Sequence, residues 1–117
     1  MITLWRGRDC DFTVTIMESD GSAYSYVASD VIRIKVGREG SVPILDLSSK
    51  AASANSSTVS AANPCALLLR AADVDLLARG FYEFEISVVD DSDSDRIKHV
   101  QSHVVLVQET QKGSVSV

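Results

Sequence analysis

The strongest constraint on the fold is the alternation within residues 81–90. Tyr82, Phe84, Ile86 and Val88 fall on one side, and Glu83, Glu85 and Ser87 on the other. A period of two is the signature of an extended strand with one face buried. The pattern recurs. In 11–18, Phe12, Val14 and Ile16 oppose Thr13 and Thr15. In 31–36, Ile32, Ile34 and Val36 oppose Arg33 and Lys35. Turn clusters separate these runs: Ser19-Asp20-Gly21-Ser22, then 37–41, then the acidic 90–95.

Weaker strands are expected at the start of the chain, at 42–47, where Pro43 suggests an edge or a strand start, and at 65–69. Residues 96–110 form the return strand of the last hairpin. Their apolar parity is uneven: Val100, Val104 and Leu106 on one side, Ile97, Val105 and Val107 on the other. A β-bulge near His103 would reconcile the two. Between 70 and 79 the period changes. Val74, Leu77 and Ala78 are spaced as on a helix of about two turns, with Asp73 and Asp75 near its start and Gly80 as its C-cap. Residues 48–63 are rich in serine and alanine, with one weak strand near 57–60. They read as a surface loop, the part of the chain expected to be most mobile or partner-dependent. The sum is six to eight short strands and one short helix before the penultimate strand. This predicts an all-β, immunoglobulin-like antiparallel β-sandwich, with residues 1–110 as a single domain and 111–117 as a polar C-terminal tail. A small barrel is the alternative.

A chain of 117 residues is one domain's worth. It can bury roughly two-thirds of its unfolded surface, enough for a core without metal or disulfide staples. The formal net charge of −5 repels phosphate and offers no basic face to an anionic membrane, so neither nucleic acid nor membrane is an expected partner. No apolar run near the length of a membrane span or export signal is present, and synthesis in a reducing cytoplasm is expected. Cys10 and Cys65 then read as free, buried thiols, although nothing in the sequence forbids their pairing.

Candidate chemistry is sparse. Asp91, Asp93 and Asp95 resemble the start of a calcium loop, but Arg96 stands where the sharp-turn glycine belongs and Ser102 where the bidentate glutamate belongs. A solvated turn explains them as well. His99 and His103, four apart on a strand, are separated by roughly 13 Å, too far to share one metal. No serine sits in a nucleophile elbow, and neither cysteine has a histidine beside it in sequence. No catalytic, metal-binding or cofactor-binding residues are therefore assigned. Trp5, flanked by Arg6 and Arg8, is either an interface anchor or a lid over one end of the core.

The order of these segments resembles a known group. Leu4-Trp5-Arg6-Gly7-Arg8-Asp9 leads into Phe12-Thr13-Val14-Thr15-Ile16, then Asp20-Gly21 and Ile32-Arg33-Ile34-Lys35-Val36. Ala71-Ala72-Asp73-Val74-Asp75-Leu76-Leu77 and Gly80-Phe81-Tyr82-Glu83-Phe84-Glu85-Ile86 close it, with a last strand ending Val104-Val105-Leu106-Val107. This arrangement resembles small immunoglobulin-like virion structural proteins of tailed bacteriophages. The resemblance implies a non-catalytic virion component, placed at the tail, baseplate or fibre as an adaptor or on the capsid as a cement or decoration protein. It implies other virion proteins as partners and a homo-oligomer such as a trimer. The long Ser/Ala segment and Arg8-Asp9, in place of a glycine–aspartate pair, depart from the group's pattern. The alternative is a carbohydrate- or protein-binding module for host recognition, which would need exposed aromatics drawn from Trp5, Tyr24, Tyr26 and Tyr82.

Overall fold

The computed structural model describes residues 1–91 and 96–109. Eight strands and one short helix follow in the order β1 (Ile2–Arg6), β2 (Cys10–Val14), β3 (Asp30–Gly37), β4 (Leu45–Ser48), β5 (Thr58–Val59), β6 (Cys65–Leu69), α1 (Ala71–Val74), β7 (Gly80–Asp90) and β8 (Arg96–Glu109). They form a five-stranded sheet, β1-β8-β7-β3-β4, and a three-stranded sheet, β2-β6-β5. The described residues are thus all-β and sandwich-like, with one helix among them, before the penultimate of their strands. The expected tail and most of the acidic hairpin turn lie outside the described residues.

The two sheets meet through the alternating apolar positions. Leu4, Ile32, Ile34, Val36, Phe84, Ile86, Val88, Val105 and Val107 come from the larger sheet, and Val14, Leu67 and Leu69 from the smaller. Each fully buried side chain of this kind contributes about 1.5–3 kcal/mol of transfer free energy. Phe12 and Phe84 reach across the sandwich, with ring centroids 6.2 Å apart.

Three expectations change. The sheets are not purely antiparallel, because β1 runs parallel to β8, with Ile2 opposite Val105 and Arg6 opposite Glu109. The bulge lies at Lys98 rather than near His103: His99 faces Val88 and Ile97 faces Val89, leaving Lys98 as the extra residue. Beyond it, Val100 and Val104 point to solvent, while Val105 and Val107 enter the core. The helix is one turn, not two. It ends at Val74, and the chain continues in tighter turns, Leu76 N–H to Asp73 O and Leu77 N–H to Val74 O. These turns still bury Leu77, which explains its helix-like spacing. Gly80, with φ +136°, opens β7 and is not a helix cap.

Residues 48–63 are largely exposed and hold the weak strand expected near 57–60 as β5, and side-chain hydrogen bonds tie them to the domain. Asp73 is 4% exposed and accepts hydrogen bonds from Ser53 Oγ (2.6 Å), Asn55 Nδ2 (2.8 Å) and Ser57 Oγ. Ser57 Oγ in turn accepts the Arg70 N–H at 2.9 Å. Burial alone would raise the Asp73 carboxyl, but these three donors outweigh it and hold the group below the usual carboxylate range.

Candidate functional site

The residues singled out for chemistry do not converge. His99 stacks on Tyr24, with centroids 5.6 Å apart. Its Nε2 is buried and has no hydrogen-bond partner among the described residues. His103 lies beside Phe84 at 6.3 Å, and its Nε2 is 2.7 Å from Gln101 Nε2. The two imidazoles face Val88 and Phe84, four ladder steps apart and therefore roughly 13 Å from each other. Among the described residues, no group of three or more His, Cys, Asp or Glu is placed to hold a metal.

The cysteines are both buried and free. Cys10 faces Leu69 and Cys65 faces Val14 on the β2–β6 ladder. Four steps of roughly 3.3 Å separate them, well beyond the ~7 Å Cα separation a disulfide tolerates. Burial pushes the Cys65 thiol up, which makes it a poor nucleophile. Cys10 has a packing role, with its Sγ against the Trp5 N–H (3.4 Å) and O (3.7 Å).

Three of the four aromatics considered for glycan binding are committed inward. Tyr24 Oη donates to the buried carboxylate of Asp30 (3.2 Å), and Tyr26 Oη to the Asp30 carbonyl (2.7 Å). Lys98, delivered by the bulge, closes this cluster with an ion pair to Asp30 at 2.6 Å. That bond holds the Lys98 ammonium above its ordinary pKa. Tyr82 is 4% exposed, and its Oη donates to Ala78 O at 2.8 Å.

The β1–β2 turn is locked at the opposite end of the sandwich. Asp9 accepts the Ala71 N–H (2.8 Å) and pairs with Arg70 (3.0 Å), and both bonds hold its carboxyl below the usual range. It thereby caps α1, whose own N-cap residue, Arg70, makes no side-chain capping bond to the helix. Asp75 sits at the C-cap, not in the first turn, and accepts the Gly7 N–H at 2.7 Å.

The surface offers a different kind of site. On the outer face of the five-stranded sheet, Val100 (48% exposed), Val104 (53%) and the half-buried Leu106 form a column along β8. Phe81 (59% exposed) lies opposite Leu106 on β7, and Thr3 lies opposite it on β1. Trp5 belongs to this face. It is half-buried, stands outside the core cluster and lies 5.3 Å beneath the guanidinium of Arg8. Trp5 therefore sits on the outer face of the sheet, partly exposed. Arg38 flanks the other side, donating to Phe81 O (3.1 Å) and lying 4.5 Å over the Tyr82 ring. Beside Arg38 lies an open groove of about 500 Å³, with Arg38, Glu39, Phe81, Glu83, Ser102 and Val104 among its lining residues. The sequence carried this face only as the uneven parity of the last strand. An apolar residue was assumed to point inward, and here several do not.

No protein-family model, curated protein or solved structure matches the chain.

Proposed function

We propose that the chain is a non-catalytic, immunoglobulin-like structural module of a bacteriophage particle. It docks to other virion proteins through the outer face of its five-stranded sheet, at the tail, baseplate or fibre or on the capsid surface. The observation that carries the docking reading is the Trp5–Leu106–Val104–Phe81 surface. Monomeric proteins keep such patches small, and Trp and Arg are the residue types that dominate protein interfaces.

Three features support the immunoglobulin-like assignment. The order β1-β8-β7-β3-β4 over β2-β6-β5 is what strands A′-G-F-C-C′ over B-E-D would give. Tyr82, near the start of β7, bonds back to the backbone of Ala78, as the corner tyrosine of that fold does. Phe84, two residues on, pairs with Phe12 of β2 where antibody domains carry their inter-sheet disulfide. Ile32 and Ile34 on β3 leave out the core tryptophan of antibody domains.

The test is mass spectrometry of density-gradient-purified particles from a host that expresses the gene. The chain should band with the particles and resist a high-salt wash, since an apolar contact is weakly screened. Its confinement to the soluble fraction would contradict the proposal.

A further inference from the structure

We propose that Gln101 and His103 form an acid-released latch, which holds residues 15–17 against β8 while His103 is neutral and loosens when its imidazole is protonated. The inference concerns the fold's own response to pH and does not depend on the particle reading.

Residues 15–17 leave β2 and enter the turn closed by the Met17–Ala23 bridge. They lie outside every strand, so side chains supply much of their backbone hydrogen bonding. Asn63 serves one edge. Its Oδ1 accepts the Ile16 N–H at 2.9 Å, and its Nδ2 donates to Ile16 O at 2.9 Å. Gln101 serves the other edge. Its Oε1 accepts the Met17 N–H at 3.0 Å, and its Nε2 donates to Thr15 O at 3.1 Å. Ile16, gripped on both sides through its own backbone and its neighbours', is fully buried. Gln101 is therefore the link from β8 to the exit of the smaller sheet.

Those two backbone contacts fix which way the Gln101 amide points. Turned over, it would set an NH2 group against the Met17 N–H and an oxygen against the Thr15 carbonyl. Nε2 is thus a donor where it meets His103 Nε2 at 2.7 Å, so that ring nitrogen is the acceptor and the ring proton sits on Nδ1. An imidazolium carries N–H on both nitrogens and has no lone pair to offer. Protonation then sets two donors face to face. Turning the ring does not restore an acceptor, and turning the amide gives up Thr15 and Met17. Histidine changes charge between pH 5 and 8, which is the range in which the latch responds.

The charged and titratable groups of the surrounding elements leave this contact alone. Glu83 and Glu85 of β7 flank Phe84, the residue opposite His103, and project to the other face of the sheet. Asp11 of β2 and Glu18 beyond Met17 are exposed. His99 stands four residues up β8, roughly 13 Å away. The exposed Met1 ammonium precedes Ile2, which faces Val105. Among the described residues, Gln101 alone is hydrogen-bonded to the His103 side chain.

Solvent-exchange NMR of the Met17 amide tests this from pH 8 to pH 5, as a protection factor corrected for intrinsic exchange, with the Ile34 amide as the core reference. Three proteins are compared: wild type, His103→Gln, which keeps an acceptor but does not titrate, and His99→Gln. In wild type and His99→Gln, Met17 protection should fall about fivefold or more relative to Ile34 across this range, on the scale of one lost hydrogen bond. In His103→Gln it should not change with pH. Long-range proton–nitrogen spectra of wild type at pH 8 should show the His103 proton on Nδ1, a readout that needs no variant. A Met17 protection that is constant with pH in wild type would overturn the latch. So would a fall that persists in His103→Gln or vanishes in His99→Gln, or a His103 proton found on Nε2 at pH 8.

Discussion

Replacing Asp73 by asparagine should release residues 53–57 from the domain at neutral pH and leave it little changed in acid. The carboxylate is buried and accepts from Ser53, Asn55 and Ser57. Hydrogen bonds to a charged acceptor contribute about 1.5–3 kcal/mol each, less than additively when they share one group. The substituted amide keeps the shape and one acceptor oxygen, but it turns an NH2 group toward hydroxyls that already donate. A net loss of about 2–3 kcal/mol follows, or a fall of roughly 8–12 °C in Tm for a domain of this size. The pH dependence separates this account from a simple packing defect. The folded-state pKa of Asp73 is depressed, so its contribution is fully present above the unfolded value, about 3.9, and is lost as pH falls through the folded value. Thermal melts of wild type and Asp73→Asn should therefore differ most near neutrality and converge in strong acid. Limited proteolysis at pH 7 should cut 48–63 faster in the variant. A gap under about 0.5 kcal/mol at pH 7, or one that does not change with pH, would refute the reasoning.

Other outcomes follow from local geometry. Tyr82→Phe removes the bond to Ala78 O and the Arg38 contact at 3.4 Å; urea titration should show a loss of about 1–1.5 kcal/mol with an unchanged m-value. Gly37→Ala sets a Cβ 3.0 Å from Pro43 Cα, a backbone atom that cannot yield cheaply, so it should destabilise by about 1–3 kcal/mol in the same assay. Intact-mass analysis after alkylation in denaturant should find both Cys10 and Cys65 modified, even from protein stored without reductant.

Much of the architecture was legible because strands announce themselves by alternation. Ile32, Ile34 and Val36, and Tyr82 through Val88, needed nothing beyond a period of two to assign their buried face. The failures share a cause, which is that side chains answer to distant partners. Lys98 bulges from β8 toward Asp30, 68 residues away, and no local pattern marks that attraction. A bulge near His103 would have reconciled the opposite parities of Val100, Val104 and Leu106 and of Ile97, Val105 and Val107, but the parity alone does not fix where the extra residue sits. The serines of 53–57 look like loop residues until Asp73 is brought beneath them. The spacing of Val74 and Leu77 is shared by a helix and by the tighter turns that replace it. The outward apolar surface was hidden by the same assumption, that an apolar strand residue points into a core.

The central claim, that the outer face of the five-stranded sheet is an assembly surface, is tested most directly by carbene footprinting of the protein free at high dilution and bound to purified particles. Labelling of Phe81, Val100, Val104 and Leu106 should fall sharply on assembly, while Thr13 and Ala66 on the opposite sheet keep theirs. Unchanged labelling of Val104 and Phe81, or protection confined to the three-stranded sheet, would contradict the account.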